Sequence, residues 1–156
     1  MPVNISNINR LLTIVLIFIC APVQSEDNLC WESAANRYNI STDLLKAIGY
    51  VESSHNPKAE NIYSKARGIL QIDDWWWPKI EKDFGITPDD LWDACTNIHV
   101  GAWILAQEIQ RYGNTWTAVG AYYAGAHKKN SKDEYINHYI VYAKRVASRL
   151  EKMRTE

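Results

Sequence analysis

The chain has 156 residues, 47% of them hydrophobic and 22% charged, with a formal net charge of −1. That mixture belongs to one soluble domain, and near-neutral charge with no basic stripe along any readable helix excludes nucleic acid as a partner class. Its aromatic content, 7 Trp and 9 Tyr against 2 Phe, favours rings with a polar handle, which suit a wet groove as well as a core.

Residues 1–25 read as a secretory signal peptide. Arg10 is their only charged side chain, the apolar run Leu11 to Ala21 follows, and small residues stand near the exit. That run is too short to span a bilayer comfortably. Cleavage is expected after Ser25, with Ala21 as the alternative, leaving 26–156 as one exported domain. Two cysteines then remain, Cys30 and Cys95, and two thiols in an exported chain are expected to be bonded. No CxxC pair and no HxxxH spacing occurs among His55, His99, His127 and His138, so neither a metal nor another cofactor is expected.

The mature part reads as helix almost throughout. Trp31, Ala34, Ala35 and Tyr38 recur at helical spacing, and Ser41 or Thr42 can cap a second helix carrying Leu44 to Glu52. In that helix Leu44, Leu45, Ile48 and Val51 form an apolar stripe with Glu52 on its edge, just before Asn56-Pro57 stops the helix. From Ser53 to about Asp74 the pattern is irregular, and long loops in compact domains tend to be functional. Pro78 opens a short helix with Ile80 and Phe84 inward and Gly85 as its stop. Thr87-Pro88 begins a brief turn around Leu91 and Trp92. A long helix then carries Ile98, Leu105, Ile109 and Tyr112 on one face and stops at Gly113. Trp116, Val119 and Tyr122 or Tyr123 make a short helix up to Gly125. Ser131 with Glu134 caps a last helix with the stripe Tyr135, Tyr139, Tyr142, Val146 and Leu150. The expected fold is mainly α, one domain.

A carboxyl on an apolar stripe has its charged form disfavoured and its pKa raised, so Glu52 is a candidate general acid. The plain alternative is a solvated Glu at a frayed helix end. Further along stand Gly68-Ile69-Leu70-Gln71, then Ala121-Tyr122-Tyr123-Ala124-Gly125, and Tyr142 in the final helix. Together with Glu52-Ser53 and Asn56-Pro57, these motifs in this order resemble the lytic transglycosylases that share the goose-type lysozyme-like fold. In size, and in "CW" and "DACTNIHVGAWIL", the chain is most similar to the small members that accompany type III secretion and conjugative transfer systems.

The resemblance implies a lysozyme-like helical domain in the periplasm, acting as a monomer on peptidoglycan glycan strands. It implies partnership with a type III secretion, type IV secretion/conjugation or pilus apparatus. It also implies the Cys30–Cys95 pair and non-hydrolytic cleavage with Glu52 as the catalytic acid. Supporting roles would fall to Ser53 (substrate contact or cap), Gln71 (donor and acceptor for an N-acetyl group), and Tyr122 and Tyr142 (hydrogen bonds to Glu52). Tyr123 stands where the family has Asn, and Leu70 where it has Met. Gly68 would let the backbone approach the glycan. Of Trp75, Trp76 and Trp77, consecutive residues cannot all face one groove. Asp73 and Asp74 are either a helix-start cap or the second carboxylate of a hydrolase. A lysozyme-like hydrolase and a non-catalytic peptidoglycan-binding subunit are the competing readings.

Overall fold

The computed structural model describes residues 26–124 and 132–156. Residues 1–25, where a signal peptide is expected, and the Ser131 cap with the side chains of Glu134 and Tyr135, lie outside the described residues. Six α-helices follow in order: α1 (Glu26–Tyr38), α2 (Thr42–Ser53), α3 (Trp77–Phe84), α4 (Ala94–Tyr112), α5 (Trp116–Ala124) and α6 (Lys132–Thr155). Short 3-10 turns at Asp74–Trp76 and Pro88–Trp92 lead into α3 and α4. Among the described residues there is no strand, only isolated bridges pairing Arg67 with Glu60 and with Ile72.

The helices close a ring around one core: α1 packs on α2 and α4, α4 on α5, α5 on α6, and α6 back on α2. Of the face expected on α4, Ile98 and Leu105 are buried, while Tyr112 is 41% exposed. Val100, Ala102, Trp103 and Ile104 are buried as well. Helix α4 is thus covered on nearly every side, which is why a single-face period underestimates it. Gly101 has the tightest position on it, since any Cβ there would collide with the Leu70 side chain. The helix starts at Asp93, whose carboxylate accepts the Thr96 N–H at 2.8 Å.

Phe84, expected inward, is 44% exposed and lays its edge against Trp103 with ring centroids 5.2 Å apart. Trp116 is likewise 47% exposed at the start of α5. Cys30 and Cys95 form a disulfide between the first helix and the start of α4, with Cα atoms 5.3 Å apart and a sequence separation of 65. Among the described residues, no helix is long and apolar enough to cross a membrane.

Candidate active site

Helix α2 begins at Ser41, whose hydroxyl accepts the Leu44 N–H at 3.3 Å. It ends at Ser53, earlier than Asn56-Pro57 require, because Ser54 and His55 both turn left-handed, with φ of 55° and 62°. Their N–H groups return to the carbonyls of Tyr50 and Gly49. This stop sets Glu52 in the last turn, where its side chain enters a cleft between α2, the irregular segment and α5.

Glu52 Oε1 accepts a hydrogen bond from the Tyr142 hydroxyl at 2.6 Å. Burial raises the Glu52 pKa from 4.5 to about 7, against the opposing pull of the Tyr142 hydrogen bond and the Arg145 charge. A carboxyl so tuned is half protonated near neutral pH, as a general acid requires. Burial pushes the Tyr122 and Tyr142 phenols well above their ordinary range, so both remain neutral donors.

Beside Glu52 the cleft is lined by Asn61, Ser64, Gln71, Asp73 and Trp76, with Tyr122 and Tyr123 on the α5 side. Gln71 holds φ 46° and gives its Nε2 to the carbonyls of Gly68 and Ala59, at 2.9 and 3.1 Å. Its donor is therefore committed to the backbone, and Oε1 is the atom it can offer to a ligand. Tyr123 stacks on Tyr142, with centroids 5.0 Å apart and planes 19° apart, and so buttresses the ring that holds Glu52.

Tyr122, expected to bond Glu52, and Ser53, expected as a substrate contact or a cap, both hold the protein, Ser53 Oγ capping the turn by accepting the Asn56 N–H at 3.1 Å. The Tyr122 hydroxyl donates to the Leu70 carbonyl at 2.7 Å, not to Glu52, and Ser53 Oγ donates to the Ile69 carbonyl at 2.8 Å. The same segment is gripped from α4 by Asn97, fully buried, whose Oδ1 accepts the Leu70 N–H at 2.8 Å. Asn97 Nδ2 donates to the carbonyls of Arg67 and Leu91. Gly68, at φ 77°, is required because a Cβ would strike Asn97 and the Leu91 carbonyl; the close approach it permits is to the protein's own amide. Asn97 escaped the sequence reading, although an amide in the middle of an apolar helix must have buried partners.

The three tryptophans divide. Trp75 is 63% exposed, Trp76 lines the cleft and meets Trp103 edge-on, and Trp77 stacks with the Arg67 guanidinium at 4.8 Å. Asp73 caps the 3-10 turn by accepting the Trp75 N–H at 2.9 Å, and also lines the cleft. Among the described residues no group of His, Cys, Asp and Glu could hold a metal ion.

Residues 29–140 match the transglycosylase SLT domain family. Protein IpgF of Shigella flexneri is 36% identical over 129 residues, covering 80% of this chain and 82% of that protein. Invasion protein IagB of Salmonella typhimurium is 38% identical over 106 residues, covering 65% of this chain and 66% of the relative. Among solved structures, an inactive mutant of lytic transglycosylase Slt from Pseudomonas aeruginosa shares the fold, with a TM-score of 0.64 at 22% identity. That match covers 78% of this chain and 23% of the larger enzyme. The chain belongs to the transglycosylase SLT domain family and is by class a peptidoglycan lytic transglycosylase.

Proposed function

We propose that residues 26–156, exported after loss of the leader, cleave the β-1,4 bond between N-acetylmuramic acid and N-acetylglucosamine without water. Glu52 donates its proton to the bridging oxygen, and the N-acetylglucosamine leaves with that proton. The carboxylate formed then takes the proton of the muramoyl 6-hydroxyl as its oxygen closes onto C1, giving a 1,6-anhydro end and restoring the acid. Positive charge at C1 needs a partner in the transition state; the sugar's own acetamido group can supply it, so one protein carboxyl suffices. Tyr142 orients the Glu52 proton, and Gln71 Oε1 accepts from an N-acetyl N–H or a sugar hydroxyl. The observation that carries this reading is the Glu52 carboxyl, buried enough for a pKa of about 7 and held by Tyr142.

The similarity to an invasion protein supports a place at an envelope-spanning secretion or conjugation apparatus, where a local opening of the wall is needed. A second reading has one observation in its favour: Asp73 lines the same cleft and can direct water to C1 in a hydrolase. Mass spectrometry of digested peptidoglycan separates them. Anhydro-muropeptides, lighter by one water, are the expected product, with none from Glu52→Gln; reducing ends would establish the hydrolase.

A further inference from the structure

Helices α5 and α6 approach closely at Gly120, where a Cβ would strike the Tyr139 ring. One turn further along each helix, Tyr123 meets Tyr142. Beyond the pair stands His138, whose ring lies 26° from the plane of Tyr123 with centroids 6.5 Å apart. His138 and Tyr142 occupy positions i and i+4 of α6 and so share one of its faces. Tyr123 thus lays its ring along two successive side chains of that face and is held by α6 at both. Ring pairs at such separations gain stability beyond the area they bury.

The stack ends on the reacting group. Tyr142 is buried, and its hydroxyl gives Glu52 Oε1 the 2.6 Å hydrogen bond. A phenolic O–H lies near the plane of its ring, so tilting the ring swings the donor off its acceptor, and a hydrogen bond weakens steeply with angle. The titratable and charged groups around Glu52 are Tyr122 and Tyr123 of α5, Tyr142 and Arg145 of α6, and Asp73 in the cleft wall. Arg145 acts on Glu52 through its charge, which depends on distance rather than on the tilt of a ring. The Tyr142 bond is the directional contact, and Tyr123 lies flat against the ring that makes it.

We propose that Tyr123 is a positioning residue for glycan cleavage: held by His138, its ring sets the plane of Tyr142 and thereby aims the Glu52 proton at the bridging oxygen. The inference rests on the reading of Glu52 as the acid and adds a residue that acts on it through Tyr142. The Asn that the family carries at this position has no ring to lay on Tyr142, so the departure at Tyr123 acquires a role. Tyr123 also lines the cleft, and the test must therefore separate aiming the acid from touching the sugar.

The test compares Tyr123→Leu, which removes the ring, with Tyr123→Phe, which keeps it, on peptidoglycan glycan strands across the pH range of the Glu52 titration. Tyr123→Leu is expected to lose roughly 10-fold in kcat with KM within about 2-fold of the wild type, because a misdirected donor costs alignment rather than binding. Its alkaline limb should move upwards, in the direction of Tyr142→Phe and no further, since both changes weaken the bond that lowers the Glu52 pKa. Tyr123→Phe should restore both kcat and the limb. In a Tyr142→Phe background, Tyr123→Leu should leave the limb where it is, because the bond through which it acts is gone.

An alkaline limb that stays in place in Tyr123→Leu overturns the inference: with a raised KM, Tyr123 is a sugar contact, and with lost stability alone, it is packing. A Phe variant as impaired as the Leu variant also overturns it, since the hydroxyl and not the ring would then carry the effect. Carbon NMR titration of Glu52 in the three proteins reads the same shift without catalysis. A wild type that cleaves no glycan would instead contradict the function proposed above, while the Glu52 midpoint still reports on the stack.

Discussion

At the scale of single residues, the chemistry depends on how Glu52 holds its proton. With a native pKa of about 7 against 4.5 when exposed, the folded state keeps the proton over a range where the unfolded state has lost it. Stability is therefore full below about pH 4.5 and declines as pH rises to about 7, by roughly 3 kcal/mol in all. Glu52→Gln removes the buried charge. It should equal the wild type in urea stability at pH 4, exceed it by up to roughly 3 kcal/mol at pH 8, and lose at least ~100-fold in cleavage rate. The two buried tyrosines should behave differently. Tyr142→Phe deletes the hydrogen bond that lowers the Glu52 pKa, so the alkaline limb of kcat/KM should move above pH 7 while the rate falls. Tyr122→Phe leaves the Leu70 carbonyl without its donor, so it should lose about 1–3 kcal/mol of stability without moving that limb. Glu52 was legible in the sequence because an acid on an apolar stripe is anomalous. The division of labour between the tyrosines was not, because only tertiary packing assigns the Leu70 carbonyl to one hydroxyl and Glu52 to the other.

At the scale of elements, the decisive piece is not a helix but the turn from Arg67 to Ile72. Its ends pair through Arg67 N–H to Ile72 O and Ile72 N–H to Arg67 O, at 3.1 and 2.9 Å. Ser53, Asn97 and Tyr122 fasten it to three helices. Arg67 itself is clasped between Trp77 and Trp92 at 4.8 and 5.1 Å, with Asp89 at 3.1 Å. Asn97→Leu preserves the apolar helix but removes three hydrogen bonds to the backbone, stranding the Leu70 N–H, and should cost about 3 kcal/mol in urea unfolding. Ser53→Ala removes one fastening and should cost about 1 kcal/mol, with a few-fold rise in KM as Gln71 loosens. The motif Gly68 to Gln71 pointed to this turn, but its glycine serves a buried amide rather than a sugar. Periodicity cannot foresee that, since a side chain buried by a partner distant in sequence leaves no local trace. The same reason accounts for Phe84 and Tyr112, apolar by type yet at the rim.

At the scale of the molecule, the ring of helices and its disulfide fix the cleft. The six helices were legible because each has its own period, caps or glycine stop; the cover on all sides of α4 was not, because burial by several neighbours erases the period. A bridge spanning a separation of 65 residues restrains the unfolded chain, and Cys30→Ser/Cys95→Ser should lose about 4 kcal/mol of urea stability. The loss should appear equally at pH 5 and pH 8, unlike the Glu52 effect, because no titrating group is involved. The proposed role at a secretion or conjugation apparatus places the enzyme there by recruitment. Wall cleavage should therefore become diffuse in cells lacking the apparatus, which labelled glycan ends can register.

The most direct measurement is a carbon NMR titration of the Glu52 side-chain carboxyl, assigned by comparison with Glu52→Gln. A midpoint near pH 7 is the predicted result. A midpoint near 4.5, that of an exposed glutamate, would leave the cleft without a proton donor and contradict the account.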